Sequence, residues 1–272
     1  MGNRLNRATG AIPIRPIGGF FENDADGFVL NPCSFERVPA HWIPVLESVR
    51  QYYLDRFGTL VHSIYLRGSL PRGLAVEGFS DLDTFCLLKA PGFRWEEVPG
   101  RADLESRLRR EFPFVWGVEL QVSSFNETLE TTYPALAAIL KTQSLCLFGT
   151  DISSQMPAVR PGPDLMIYRH WLEQDVRDFL SKKTIKHIDC QDIMKTLIRS
   201  AFELVMARAG RFTPDLYWCW RAFSDFYPDR KPDLRQALHW YLNPTADVSF
   251  LHPFVHKTGF WLRDSFLGKR EC

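Results

Sequence analysis

A mixed α/β core followed by an all-α half is the fold this sequence predicts, and three observations carry the expectation. Strand-like apolar runs at about 60–67, 82–89 and 115–122 alternate with helix-period segments at 39–57, 101–112 and 134–142. A cluster of turn-forming residues, Pro157, Pro161, Gly162 and Pro163, then interrupts the chain. Beyond it every apolar stripe has helical spacing. The expected organisation is an irregular N-terminal arm over 1–38, a core domain over 39–158 and a helical domain over 159–272.

Residues 1–38 are rich in Gly, Pro, Asn and Arg and show no steady period, hence the arm. From Pro39 the pattern turns helical: Val45, Leu46, Val49, Tyr53 and Phe57 share one face, and Gly58 stands where a C-terminal cap belongs. The strand at 60–67 runs into Gly68-Ser69 and a loop containing Pro71, Gly73 and Gly78, and the strand at 82–89 follows. Leu104, Leu108 and Phe112 mark an amphipathic helix. In the next run Val118, Leu120 and Val122 alternate with Glu119 and Gln121, the period of a strand. A helix at 134–142 and the segment Leu145–Gly149 complete the first half. In the second half Asp164 is placed to cap a helix over about 165–182. Ile193, Met194, Leu197, Ile198, Ala201, Phe202 and Val205 form a stripe ending at Gly210, and Thr213-Pro214 reads as a cap with a first-turn proline.

Composition narrows the function classes. With 33 basic and 32 acidic residues the formal net charge is +1, which gives no overall basic field for non-specific nucleic-acid binding. No apolar stretch nears the roughly 20 residues that span a bilayer. Residues 1–19 lack the apolar segment of a signal peptide, so a cytoplasmic protein is expected. The six cysteines, Cys33, Cys86, Cys146, Cys190, Cys219 and Cys272, have no zinc-site spacing and read as packed thiols. His62, His170, His187, His239, His252 and His256 show no ligand spacing either.

The chemistry is concentrated around Asp81-Leu82-Asp83. In a strand these two carboxylates face the same way, about 7 Å apart, a pair of hard oxygen ligands suited to Mg²⁺ shared with substrate phosphates. A lone D-x-D also arises in exposed loops. Here, however, it opens an apolar strand, where unpaired carboxylates are costly. Gly68 leaves room for a phosphate to approach the backbone, and Ser69 adds a hydroxyl. Glu119 interrupts its own strand in the same manner; it is either a third carboxylate of the site or the solvated face of an edge strand. An ion bridging phosphate oxygens points to phosphoryl or nucleotidyl transfer.

Together, Gly68, Ser69, Asp81, Asp83 and Glu119, with Ser80 before the first aspartate, resemble the signature of the nucleotidyltransferase superfamily that includes DNA polymerase beta. The chain is similar in particular to the bacterial aminoglycoside nucleotidyltransferases that adenylylate streptomycin and spectinomycin. Leu145–Asp151 resembles their post-core L-x-L-x-G-x-D segment, and Thr196-Leu197-x-Arg199 and Ala209-Gly210-Arg211-x-x-Pro214 resemble their helical pattern. The likeness covers most of 60–245. It implies that Asp81 and Asp83 bind Mg²⁺, that Gly68 and Ser69 hold nucleotide phosphates, and that Glu119 is the general base. It also implies that Arg199 reaches the triphosphate and that Asp189 binds the acceptor. Read from the residues alone, Arg199 is equally a solvated charge and Asp189 a cap for a helix over 190–209. Two departures stand out: Asp215 occupies the place of an expected lysine, and the interval from Arg199 to Gly210 is longer. Tyr217, Trp218, Trp220, Phe223, Phe226 and Tyr227 suit core packing better than stacking on a ligand.

The expected activity is transfer of AMP from ATP to a hydroxyl of a small acceptor such as an aminoglycoside, in a cleft between the two halves. The same core can instead modify a protein or extend RNA, as in nucleotidyltransferase toxins, or survive as a nucleotide-binding regulator without catalysis. Lys182, Lys183, Lys186 and His187 crowd the stretch before Asp189 and would favour phosphate or RNA over a cation.

Overall fold

The structure, a computed structural model, describes residues 11–93, 96–129 and 134–268. Residues 1–10 of the expected arm and Cys272 lie outside the described residues. The chain forms two compact units. One runs from Phe21 to Arg160; the other begins at Pro161 and takes in the N-terminal segment that ends at Phe20.

In the first unit α1 (Ile43–Phe57) precedes β1 (Val61–Arg67) and β2 (Asp81–Leu88), followed by β3 (Glu96–Glu97), α2 (Arg101–Glu111), β4 (Gly117–Ser124), α3 (Phe125–Leu129), α4 (Pro134–Gln143) and β5 (Ser144–Gly149). The five strands form one mixed sheet in the order β3-β4-β2-β1-β5. β2 and β4 are parallel, and the other pairs are antiparallel. The sheet is covered on both faces, which is why its central strands are apolar almost throughout. On one face Tyr53, Val49 and Leu46 of α1 join Leu104 and Leu108 of α2 over Ile64, Leu66, Leu82, Cys86, Leu120 and Val122. On the other, Leu136, Ala137 and Leu140 of α4 pack against Tyr65, Phe85 and Leu87. The predicted helices and strands at 39–142 thus form with small shifts in their ends.

The second unit is helical: α5 (Tyr168–Ser181), α6 (His187–Glu203), α7 (Met206–Ala209), α8 (Leu216–Phe226), α9 (Lys231–Leu242) and α10 (Val248–Phe266). α6 is its axis, packing against α5, α8, α9 and α10. None of the described helices is long and apolar enough to cross a membrane.

Three local expectations are corrected. Asp164 does not cap α5. Instead the buried Glu203, at the end of α6, accepts the amides of Ile167, Tyr168 and Arg169 at 2.7–2.8 Å. Those orphan donors of the first turn are therefore satisfied by a carboxylate from a neighbouring helix. Burial pushes the Glu203 carboxyl up to about 7, against the pull of those three amides. The stripe ending at Gly210 is two helices, α6 and α7, separated at Leu204–Val205. Thr213 does not cap α8; the helix starts after Asp215, and the Thr213 hydroxyl bonds the Gly19 carbonyl at 2.7 Å.

The expected arm divides between the units. Within the helical unit, Ile12 exchanges hydrogen bonds with the Asn243 side chain, and the Gly19 amide donates to the Asp215 carboxylate at 3.0 Å. Phe20 lies 5.6 Å from the Trp218 ring. In the sheet unit, Asn23 bridges to Val29, whose amide bonds the Val159 carbonyl.

Candidate active site

Strand register assembles the site at one end of the sheet. Asp83 sits opposite Arg67 of β1 and opposite Glu119 of β4, so three charged side chains from three adjacent strands form one row. Asp81, two residues earlier, shares that face. It pairs with Gly117. β3 pairs with β4 only at Gln121 and Val122, and the Glu119 side chain, 34% exposed, meets Arg67. The backbone around Glu119 is gripped from the opposite face: the buried Thr84 hydroxyl bonds the Glu119 carbonyl at 3.1 Å, and Tyr53 of α1 bonds the Gln121 carbonyl at 3.2 Å.

Two glycines make the space for the aspartates. Gly68 has φ +84°, and a side chain there would bring its Cβ to 2.2 Å from Asp83 Oδ2. At Gly117 a Cβ would lie 2.5 Å from Asp81 Oδ1. Glycine at position 68 is required twice over, by backbone conformation and by the carboxylate it cradles. Ser69 immediately precedes a tight turn, Leu70–Arg72, and its hydroxyl makes no capping bond there. Arg72 at the end of that turn donates to the Gly68 carbonyl at 3.0 Å.

The electrostatics are those of crowded carboxylates with one cation among them. Arg67 Nη2 meets Glu119 Oε1 at 2.5 Å. Asp83 is pushed up to about 7, first by burial and then by Glu119 and Asp81, while Arg67 opposes the rise. The Glu119 side chain beside it adds to the rise. The donor set is all oxygen, and the glycine cradles leave both aspartates on the same face, so the pair fits a hard divalent cation completed by substrate oxygens. Among the described residues no group of three acidic, His or Cys side chains could hold a metal ion by itself.

Arg67 and Arg72 are the site residues that sequence reasoning missed. Each flanks the Gly-Ser pair, at positions that read only as a strand end and a loop charge.

The helical unit places the other expected residues differently. Arg199 is half-buried; its guanidinium bonds the Pro214 carbonyl at 3.0 and 3.2 Å and the Tyr168 hydroxyl. Asp189 acts at the start of α6. It accepts the Lys186 amide at 2.7 Å and pairs with Lys182, whose hydrogen bond holds its carboxyl below the usual range. It also lines a shallow groove of about 190 Å³ with Asp175, Asp178, Asp192, Lys182 and Thr196. The departure at Asp215 has a structural account, since its carboxylate holds the Gly19 amide. Of the aromatic cluster, Phe223 and Trp220 are buried, and Phe223 stacks on Tyr227 with ring centroids 5.0 Å apart.

No protein-family model matches the sequence, and neither does any curated protein sequence. Among solved structures the chain is similar to a spectinomycin adenyltransferase, AAD(9), from Enterococcus faecialis, determined with ATP and spectinomycin. The two share 13% sequence identity with a TM-score of 0.49, over 82% of this chain and 98% of that chain.

Proposed function

We propose that the chain is a metal-dependent nucleotidyltransferase that moves AMP from ATP to a hydroxyl group of a small acceptor. The observation that carries this reading is the register of β2 on β4, which sets Asp83 beside Glu119 while Gly68, without a Cβ, lets the Asp83 carboxylate pack against the end of β1. Asp81 and Asp83 would hold Mg²⁺, which when bound supplies charge neutralisation for a triphosphate. The Gly68-Ser69 turn would face the phosphates, with the Ser69 hydroxyl as a donor to their oxygens. Glu119 takes the proton from the acceptor hydroxyl. The acceptor oxygen then bonds to the α-phosphorus as the bridge to the β-phosphate breaks, and pyrophosphate leaves. We assign Arg199 first to holding the entry of α8 through Pro214; a contact with the triphosphate would require it to give up that carbonyl.

A polycationic acceptor such as an aminoglycoside is favoured by the groove in the helical unit, where four aspartates face one lysine and would attract positive charge. Asp189 would share in that attraction. The macromolecular alternative, RNA or a protein as acceptor, has its support in the exposed Lys182, Lys183, Lys186 and His187 beside that groove. Incubation with ATP and Mg²⁺ in the presence of streptomycin, spectinomycin or a short RNA, followed by mass spectrometry, tests the choice. An aminoglycoside gaining the mass of AMP supports the reading, whereas modification of the RNA alone moves the function to the macromolecular class.

A further inference from the structure

We propose that Arg67 is a built-in counter-cation of the carboxylate row, a positioning residue that holds Glu119 beside Asp83 while no divalent ion is present and that a bound ion must compete with. The inference rests on the nucleotidyl-transfer reading and goes beyond it, because it assigns what balances the site between turnovers.

The geometry supplies the argument. Arg67 is the last residue of β1 and pairs with Asp83 on β2, yet its guanidinium bonds Glu119 on β4, one strand further on. Neighbouring strands lie about 4.8 Å apart, so the side chain crosses roughly two strand spacings. Only a long side chain does so. A planar guanidinium with five donors can serve two carboxylates at once, which a lysine ammonium does less well. Gly68 follows immediately with φ +84°, so the chain turns away and leaves the arginine lying over the row. An aspartate pair with a glutamate at its side is costly to hold together without a cation. Here the chain brings its own.

A divalent ion at Asp81 and Asp83 would sit within the field of that guanidinium, and two cations on one carboxylate set repel. Removing the arginine should therefore strengthen ion binding and at the same time leave Glu119 without its orienting partner. A residue with a merely structural role would act in the opposite direction, weakening binding as the fold loosened.

The test is calorimetric titration of the whole protein with Mg²⁺, alongside Arg67→Gln and Arg67→Met, with circular dichroism to verify folding and steady-state kinetics where turnover is measurable. An opposite charge at this range is worth about tenfold or more in an ionic equilibrium. Both variants should bind Mg²⁺ about tenfold or more tightly than the parent, with a lower Mg²⁺ requirement and a reduced kcat. Arg67→Lys, keeping the charge, should return Mg²⁺ affinity toward the parent value. Unchanged or weaker Mg²⁺ binding in whichever of the two neutral variants folds would overturn the inference while leaving nucleotidyl transfer standing. Failure of the parent and of the neutral variants alike to bind Mg²⁺ with ATP also present would overturn both.

Discussion

Asp83→Asn should abolish nucleotidyl transfer, by on the order of 10³-fold, because the charge neutralisation that a bound ion provides is worth several kcal/mol. The fold should not suffer. Asparagine keeps the shape and removes one of the crowded negative charges, so the crowding of carboxylates is relieved without opening a cavity. The stability difference has a definite pH dependence in metal-free buffer. Asp83 is raised from an ordinary 3.8 to about 7 in the folded chain, so between those values the folded state binds the proton more tightly than the unfolded state. Stability of the parent therefore falls as pH rises from about 4 to about 7, and the variant escapes that fall. Thermal melts at pH 5 and pH 8 should show the variant gaining more on the parent at the higher pH. A variant that melts like the parent at both and transfers AMP at the parental rate would remove Asp83 from the site.

Glu119→Gln should retain binding of ATP with Mg²⁺ and lose turnover by about 10²–10⁴-fold, the usual cost of removing a general base. The amide matches the carboxylate in shape but cannot accept a proton at neutral pH. Its effect on affinity should be small, because the ion is assigned to Asp81 and Asp83. Nucleotide titration and single-turnover rates separate the two effects. If nucleotide affinity collapsed together with the rate, Glu119 would be an ion ligand, and the proton acceptor would have to be another group.

What the sequence made legible was local. Gly68-Ser69 and the Asp81/Asp83 pair lie within one stretch of chain, so period-two alternation alone puts the aspartates on a common face. Glu119 was visible as a polar residue in an apolar strand. Its place beside Asp83 depended on parallel pairing of β2 with β4, which nothing in either strand's own pattern specifies. Arg67 escaped notice for the same reason: its partner is 52 residues away and two strands over. Helix boundaries followed the apolar stripes, but caps were misread wherever the partner was distant. Glu203 reads as one more polar residue on α6, and only the packing of α6 on α5 sets it against three free amides. Asp215 is a departure from the family pattern until the segment near Gly19, 196 residues earlier, is seen to bond it. Arg199 likewise looked available because Pro214 and Tyr168, its partners, lie outside its own helix.

The nucleotidyl-transfer reading is tested most directly by following the two ends of ATP. The protein would be incubated with Mg²⁺, a panel of aminoglycosides and ATP carrying label at either the α- or the γ-phosphate, with Glu119→Gln as the control. The predicted result is α-label on the acceptor, γ-label released as pyrophosphate, and neither in the control. Label passing to the acceptor from the γ-position would make the chain a phosphotransferase. Retention of both labels on ATP with every acceptor, including cell extract, would contradict the assignment of the carboxylate row as a catalytic site.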